Sequence, residues 1–228
     1  MSSSKTAILL FSLEAHEQAI RKPIMGQDNF LLNRKFWSTL KRHTIKIAKA
    51  TGIQVEEYCE QEGENFGERL SNAIAACYQK GYDRLIVLGN DNPNLNKETL
   101  LQVSQLLNSN QWVLEPSEDG GVNILGINKQ SFNPDSFANL PWHSEVVFNE
   151  LVDGIRNQHQ SLAILEGNPD IDSESDLKSW LENPGQSILA ILVKGLLLKN
   201  LWDVDSPDLG LTEHVLQQSH GNKAPPAW

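Results

Sequence analysis

A short apolar run that breaks into an acidic turn most narrows what this chain can fold into. Leu85, Ile86, Val87 and Leu88 are followed at once by Gly89, Asn90, Asp91, Asn92 and Pro93. The run is too short for a helix. It fits a strand buried on both faces of a parallel sheet, because covering both faces removes the polar alternation of a half-buried strand. A second run of the same kind, residues 6–11, lies near the start of the chain.

Segments of helical period alternate with these runs. Phe36, Leu40 and Ile47 recur at helical spacing, and Thr51-Gly52 ends that helix with glycine just beyond its last turn. Residues 53–58 read as a strand. A helix from Glu64 or Asn65 carries Leu70, Ile74 and Cys77 and stops near Gly81. Asn96 caps a helix through residue 107. Strands are expected over 112–114, 122–127 and 162–165, and a helix over 143–155. Ser173 and Asp176 have capping-box spacing for a helix through residue 181, and a last helix starts at Ile188. Residues 12–28 read as a long polar loop. The alternation predicts a three-layer α/β/α sandwich with a mainly parallel, Rossmann-like sheet. One domain is expected over 1–228, with its core over about 6–200 and a C-terminal extension over 201–228.

Composition removes several function classes. The chain of 228 residues carries 19 basic and 29 acidic residues, a formal net charge of −10. That balance opposes general nucleic-acid binding, which needs a basic face. Cys59 and Cys77 form no Cys-x-x-Cys pair, so a structural zinc site is not expected and two reduced thiols are. The N-terminus lacks the apolar stretch and cleavage site of a secretory signal. The most apolar run, residues 188–198, is too short to span a bilayer, which takes about 20 residues. A cytoplasmic protein with no membrane span is expected.

Four segments could carry chemistry. Asp91 lies at the carboxyl end of a central strand, where open α/β sheets bind ligands, and a carboxylate there suits a divalent ion bridging to phosphates; the same residues also make an ordinary Asx turn. Asp119-Gly120-Gly121 allows a close backbone approach to a ligand, and equally a hairpin turn. Gly63, Gly67 and Arg69 surround a helix start, where amides favour anions; a solvated first turn fits them too. Asp170 and Asp172 follow the last strand and could reach the same sheet edge as Asp91, or could simply complement a helix dipole. His143 could line the pocket beside Trp142 or serve as a structural histidine. The chain lacks a Gly-x-Ser-x-Gly elbow, a Walker loop and a Gly-x-Gly-x-x-Gly fingerprint, which disfavours serine hydrolases, P-loop ATPases and dinucleotide dehydrogenases.

The order of these motifs is more specific than any one of them. Leu10-Phe11-Ser12, then Gln61-x-Gly63-x-x-Phe66-Gly67-Glu68-Arg69, Gly89-Asn90-Asp91-Asn92-Pro93, Pro116-x-x-Asp119-Gly120-Gly121, Pro141-Trp142-x-Ser144 and Asp170-x-Asp172 occur in sequence. The pattern resembles the bacterial glycosyltransferase-like family called selenodomain-associated transferases, nearest its Bacteroidetes-type branch. The resemblance implies the GT-A, nucleotide-diphospho-sugar transferase fold and a divalent metal, Mg²⁺ or Mn²⁺. It implies Asp91 and Asp172 as metal ligands and Asp119 as the residue that orients the acceptor or serves as base. Ser12, Arg21, Lys22, Gly67, Arg69, Asn90, Gly120, Gly121 and Trp142 would bind the nucleotide or substrate. The first loop departs from the family's pattern: of its basic and glycine positions, only the pair Arg21 and Lys22 remains. The implied activity is transfer from a nucleotide-diphospho-sugar donor. The alternatives are nucleotidyl transfer from a nucleoside triphosphate, or a binding protein of this fold without catalysis. The implied partners are a nucleotide sugar or nucleotide, and a homodimer is left open.

Overall fold

The computed structural model describes residues 4–185 and 187–204. Six strands, β1 (Thr6–Phe11), β2 (Gln54–Tyr58), β3 (Arg84–Leu88), β4 (Trp112–Pro116), β5 (Val122–Asn128) and β6 (Leu162–Ile164), form one sheet in the order β2-β1-β3-β5-β4-β6. The helices are α1 (Ala15–Arg21), α2 (Phe30–Ala50), α3 (Phe66–Gln79), α4 (Lys97–Leu106), α5 (Pro134–Ala138), α6 (Val147–Asn157), α7 (Glu174–Glu182) and α8 (Ile188–Val204). β1 pairs in parallel with β2 and β3, and β4 with β6. β5 alone runs against its neighbours β3 and β4, because a tight hairpin joins it to β4.

The pleat of β1 divides the core. Ala7, Leu9 and Phe11 face α3, α5 and α6, where they meet Leu70, Ile74, Phe137 and Leu151. Ile8 and Leu10 face α2 and α4, where they meet Ala48, Leu100 and Val103. Both faces of β1 and β3 are thus dry, as the apolar runs required, and each fully buried Leu or Ile contributes about 1.5–3 kcal/mol through burial. A third cluster gathers α1, α2, α7 and α8 around Phe36, Trp37, Leu40 and Trp180. Ile171 is wholly buried in that cluster, so its chain neighbours Asp170 and Asp172 are fixed at the cluster's rim.

Two local expectations are corrected. Residues 12–28 are not simply a loop, since α1 lies within them. This helix carries no apolar stripe: its buried residues are Gln18 and Ala19, and contact with α2 holds it. The helix expected from residue 143 begins at Val147, after a turn in which His143 has φ 64°. The extension expected over 201–228 lies, from residue 205 on, outside the described residues. No helix among the described residues is long and apolar enough to cross a membrane, and Cys59 and Cys77 are free thiols.

The start of α3 shows how local chemistry sets an element. Asn65 Oδ1 accepts from Glu68 N at 2.9 Å, and Glu68 reaches back to the Glu64 amide at 2.9 Å. Asn65→Ala removes the cap and is expected to cost about 1 kcal/mol in urea unfolding. An unchanged midpoint would mean that packing alone starts the helix.

Candidate active-site cleft

The carboxyl ends of β1 and β3 lie side by side and open into a cleft of ≈ 470 Å³. Ser12 follows β1 in its wall, and Gly89, Asn90 and Asp91 follow β3. The β4–β5 turn adds Asp119 and Gly121, α1 adds Arg21 and Lys22, and the start of α3 adds Arg69. Trp142 and His143 close one side, and Asp170 and Asp172 arrive from the segment after β6. This is the place where open α/β sheets bind ligands.

Asp91 takes its position from its backbone and from Gly89. The Asp91 carbonyl accepts from Ile171 N at 3.0 Å, which ties the β3 end to the Asp170–Asp172 segment. Its carboxylate folds back over Gly89, where a Cβ would lie 2.6 Å from Asp91 Oδ1. Next to it, Asn92 Oδ1 accepts from Asn94 N at 2.9 Å, the Asx-turn geometry that the sequence also allowed. Burial pushes the Asp91 carboxyl up; the Lys22 charge opposes this and Asp172 adds to it.

The β4–β5 turn is the hairpin the Asp-Gly-Gly motif allowed, and it faces the cleft as well. Ser117 N donates to Gly121 O at 3.1 Å, and Gly121 N donates to Asp119 Oδ1 at 2.9 Å. Gly120 has φ 91°, and a Cβ there would lie 2.1 Å from the Glu145 carbonyl oxygen. Gly120 therefore packs against the Glu145 backbone and does not line the cleft. Gly67 behaves alike: it admits the backbone of Ala138, not a ligand.

Three carboxylates converge at this point. Oxygens of Asp119, Asp170 and Asp172 lie within 4.8 Å of one another. Burial raises Asp170 to about 6; the Ser117 hydroxyl works against the rise, and the charges of Asp91, Asp119 and Asp172 add to it. The Ser12 hydroxyl, in the wall of the cleft, is buried and makes no hydrogen bond among the described residues. An unpaired buried hydroxyl is costly unless something else satisfies it. The donor set is all oxygen, which suits Mg²⁺ or Mn²⁺.

Two cations of the cleft, Arg21 and Lys22, sit at the end of α1. Lys22 forms an ion pair with Asp172 and lies 3.9 Å from Asp91 Oδ2. Burial alone would lower the Lys22 ammonium, but the charges of Asp91 and Asp172 outweigh it and hold it above the usual lysine value. Trp37 Nε1 donates to the Lys22 carbonyl at 2.9 Å and fixes the backbone there. The Asn90 amide pairs reciprocally with that of Gln18, which is buried like it, through two bonds of 2.9 Å. Asn90 thereby braces α1 against the end of β3. Trp142 is held by a 2.9 Å bond from Nε1 to the Phe137 carbonyl and packs on Phe66 and Phe137. Burial keeps His143 below its ordinary value, helped by Lys22 and Arg69.

Sequence reasoning underrated Asp170 and missed Gln18 and Ser117. Gln18 lay in the supposed loop. Asp170 shared the Asp-x-Asp signal with Asp172, but only the strand order shows that both reach Asp119. Ser117 carried no signal.

A GT-A-type α/β domain, the nucleotide-diphospho-sugar transferase fold, is the class that this sheet and its cleft define. The chain belongs to the DUF2064 family, described as an uncharacterized protein conserved in bacteria, whose profile matches residues 29–144. The structure is similar to that of a protein from Desulfovibrio desulfuricans G20 described as a candidate nucleotide-diphospho-sugar transferase. The two share 20% identity at a TM-score of 0.69, over 88% of this chain and 96% of that one. Rv0371c from Mycobacterium tuberculosis H37Rv matches at 14% identity and a TM-score of 0.48, over 80% of this chain and 100% of that one. Its manganese complex matches at 13% and 0.45, over 79% and 100%. No curated protein matches the chain.

Proposed function

We propose that the protein is a metal-dependent transferase that takes a nucleotide-diphospho-sugar donor into this cleft. One observation carries the reading: Asp119, Asp170 and Asp172 converge in the cleft, next to the carboxyl ends of β1 and β3. The Desulfovibrio protein of the same fold carries a nucleotide-diphospho-sugar transferase description, which agrees with it. Asp170 and Asp172 would hold a Mg²⁺ or Mn²⁺ ion, with Asp119 and Asp91 at its border. When bound, such an ion supplies Lewis-acid stabilisation of charge developing on a departing diphosphate, worth several kcal/mol.

The chain's own groups do the rest. Arg21, Lys22 and Arg69 bring positive charge to the cleft and offset the phosphates. Ser12 offers a hydroxyl where a donor oxygen could satisfy it. Asp119 orients the acceptor hydroxyl or takes its proton. Trp142, locked by Phe66 and Phe137, gives a rigid wall that excludes water. The cytoplasm, where nucleotide donors are made and thiols stay reduced, is the compartment this chemistry suits.

Calorimetric titration with UDP, GDP and their sugars, with and without Mn²⁺, tests the proposal. Metal-dependent diphosphate binding, lost in Asp172→Asn, is the expected result. Binding of triphosphates alone would replace sugar transfer with nucleotidyl transfer. Absence of any nucleotide binding at millimolar concentration would leave a binding protein without this activity.

A further inference from the structure

We infer that Lys22 is an internal competitor for the metal site: its ammonium holds the position of the cation until a donor's phosphates draw it away. The inference rests on the metal-dependent reading above and adds an order of events to it. Lys22 is the C-cap of α1, and its backbone is pinned from two sides. Lys22 N donates to Gln18 O at 2.8 Å, and its carbonyl accepts from Trp37 Nε1 at 2.9 Å. Gln18 is in turn locked to Asn90. The ammonium is thereby aimed at the acidic cluster, paired with Asp172 and 3.9 Å from Asp91.

A divalent ion needs carboxylate oxygens free of other cations. Asp172 is one of the three converging carboxylates, and it is the one that Lys22 occupies. Ion and ammonium cannot both take the same oxygens, and at short range they repel. Lys22 must move for the ion to be held fully. Its side chain is 38% exposed, so it has room to swing outward. The open cleft beside it is where a diphosphate would lie, and Arg21 lines the same wall. A diphosphate rewards the swing by giving the ammonium new anionic partners. Metal and donor therefore help each other bind, and the free protein holds metal weakly.

The sign of the mutant effect separates this account from a structural role. Lys22→Gln removes the competing charge and keeps much of the stem. Mn²⁺ affinity without nucleotide, read from the EPR signal of the free ion, is expected to tighten about tenfold, as follows from removing a unit charge a few ångströms from a divalent ion in a partly solvated site. Lys22→Arg retains the charge and should leave the affinity near that of the natural protein. The help that GDP gives to Mn²⁺ binding should shrink in Lys22→Gln. Damage to the fold could only weaken metal binding, so a gain has no such explanation. Equal or weaker Mn²⁺ binding in Lys22→Gln, with the natural protein still binding Mn²⁺, overturns the competition and leaves the metal-dependent reading intact. Failure of both proteins to bind Mn²⁺, with or without GDP, overturns that reading and the competition with it.

Discussion

Gly67→Ala is expected to destabilise the protein by about 3 kcal/mol or more, at the upper end of overpacking costs. The added methyl would lie 2.1 Å from the Ala138 carbonyl oxygen, 2.9 Å from its carbon and 2.7 Å from Trp142 Cδ1. None of these atoms yields cheaply. Ala138 is backbone at the end of α5, and the Trp142 ring is held by its bond to the Phe137 carbonyl and by Phe66 and Phe137. Alanine's advantage over glycine in helices, up to about 1 kcal/mol, cannot offset a clash with main chain. The midpoint of thermal unfolding should fall by roughly 6–12 °C, at about 2–4 °C per kcal/mol for a chain of this size. Gly154→Ala in α6 is the counterpart, because nothing lies within 4 Å of its Cβ position. It should be neutral or stabilising by up to about 1 kcal/mol. Equal effects of the two substitutions would show that the close approach of α3 and α5 does not limit residue 67.

Asp170→Asn is expected to abolish Mn²⁺ binding while making the ligand-free protein more stable at neutral pH. The carboxyl is raised from 3.8 to about 6, first by burial and then, against the help of Ser117, by the charges of Asp91, Asp119 and Asp172. A group whose folded value lies above its unfolded value stabilises the native state while protonated. For Asp170 that contribution is complete below about pH 4 and is lost as pH rises through about 6. At pH 7.5 the natural protein therefore carries an ionised carboxylate in an unfavourable place, and the neutral amide relieves it. The gain is about 1–2 kcal/mol after allowance for solvent near the cleft. It should be flat above about pH 6 and vanish towards pH 4. Urea unfolding of both proteins from pH 4 to pH 8 reads it directly. A stability difference that does not change with pH would show that Asp170 ionises as freely as in solvent. Stability surrendered for a functional cluster is what a ligand-binding site is expected to show.

The parts of the fold legible in the sequence are those fixed by local chemistry. β1 and β3 announced themselves because burial on both faces leaves an uninterrupted apolar run. Asn65, Asn96 and Ser173 marked helix starts because a short polar side chain satisfies an amide three residues on. α1 was hidden for the opposite reason. No side chain caps its start, Ile20 is exposed, and what it buries is Gln18 and Ala19. Its stability comes from contact with α2, which no local pattern records. The reversed direction of β5 follows from a hairpin whose turn was readable, but its insertion between β3 and β4 was not.

The same division runs through the candidate site. Asp91 and Asp119 were legible because each stands in a recognisable turn at a strand end. The convergence of Asp119, Asp170 and Asp172 depends on β4 lying beside both β5 and β6, which is a property of the whole sheet. Lys22 was visible as half of a basic pair. Its engagement with Asp172, 150 residues away in the chain, was beyond any reading of spacing. The structure also gives Gly67 and Gly120 a packing role where the sequence suggested ligand approach, because glycine serves both needs with the same symbol.

Metal-dependent transfer requires the cleft to hold a divalent ion against a diphosphate. Crystals grown with MnCl₂ and GDP, measured at the manganese absorption edge, test it most directly. One anomalous peak is expected among the carboxylates of Asp119, Asp170 and Asp172, with diphosphate oxygens on its open side and Lys22 withdrawn from Asp172. A peak elsewhere, or GDP bound in the cleft with Lys22 still on Asp172 and no metal beside it, would contradict it.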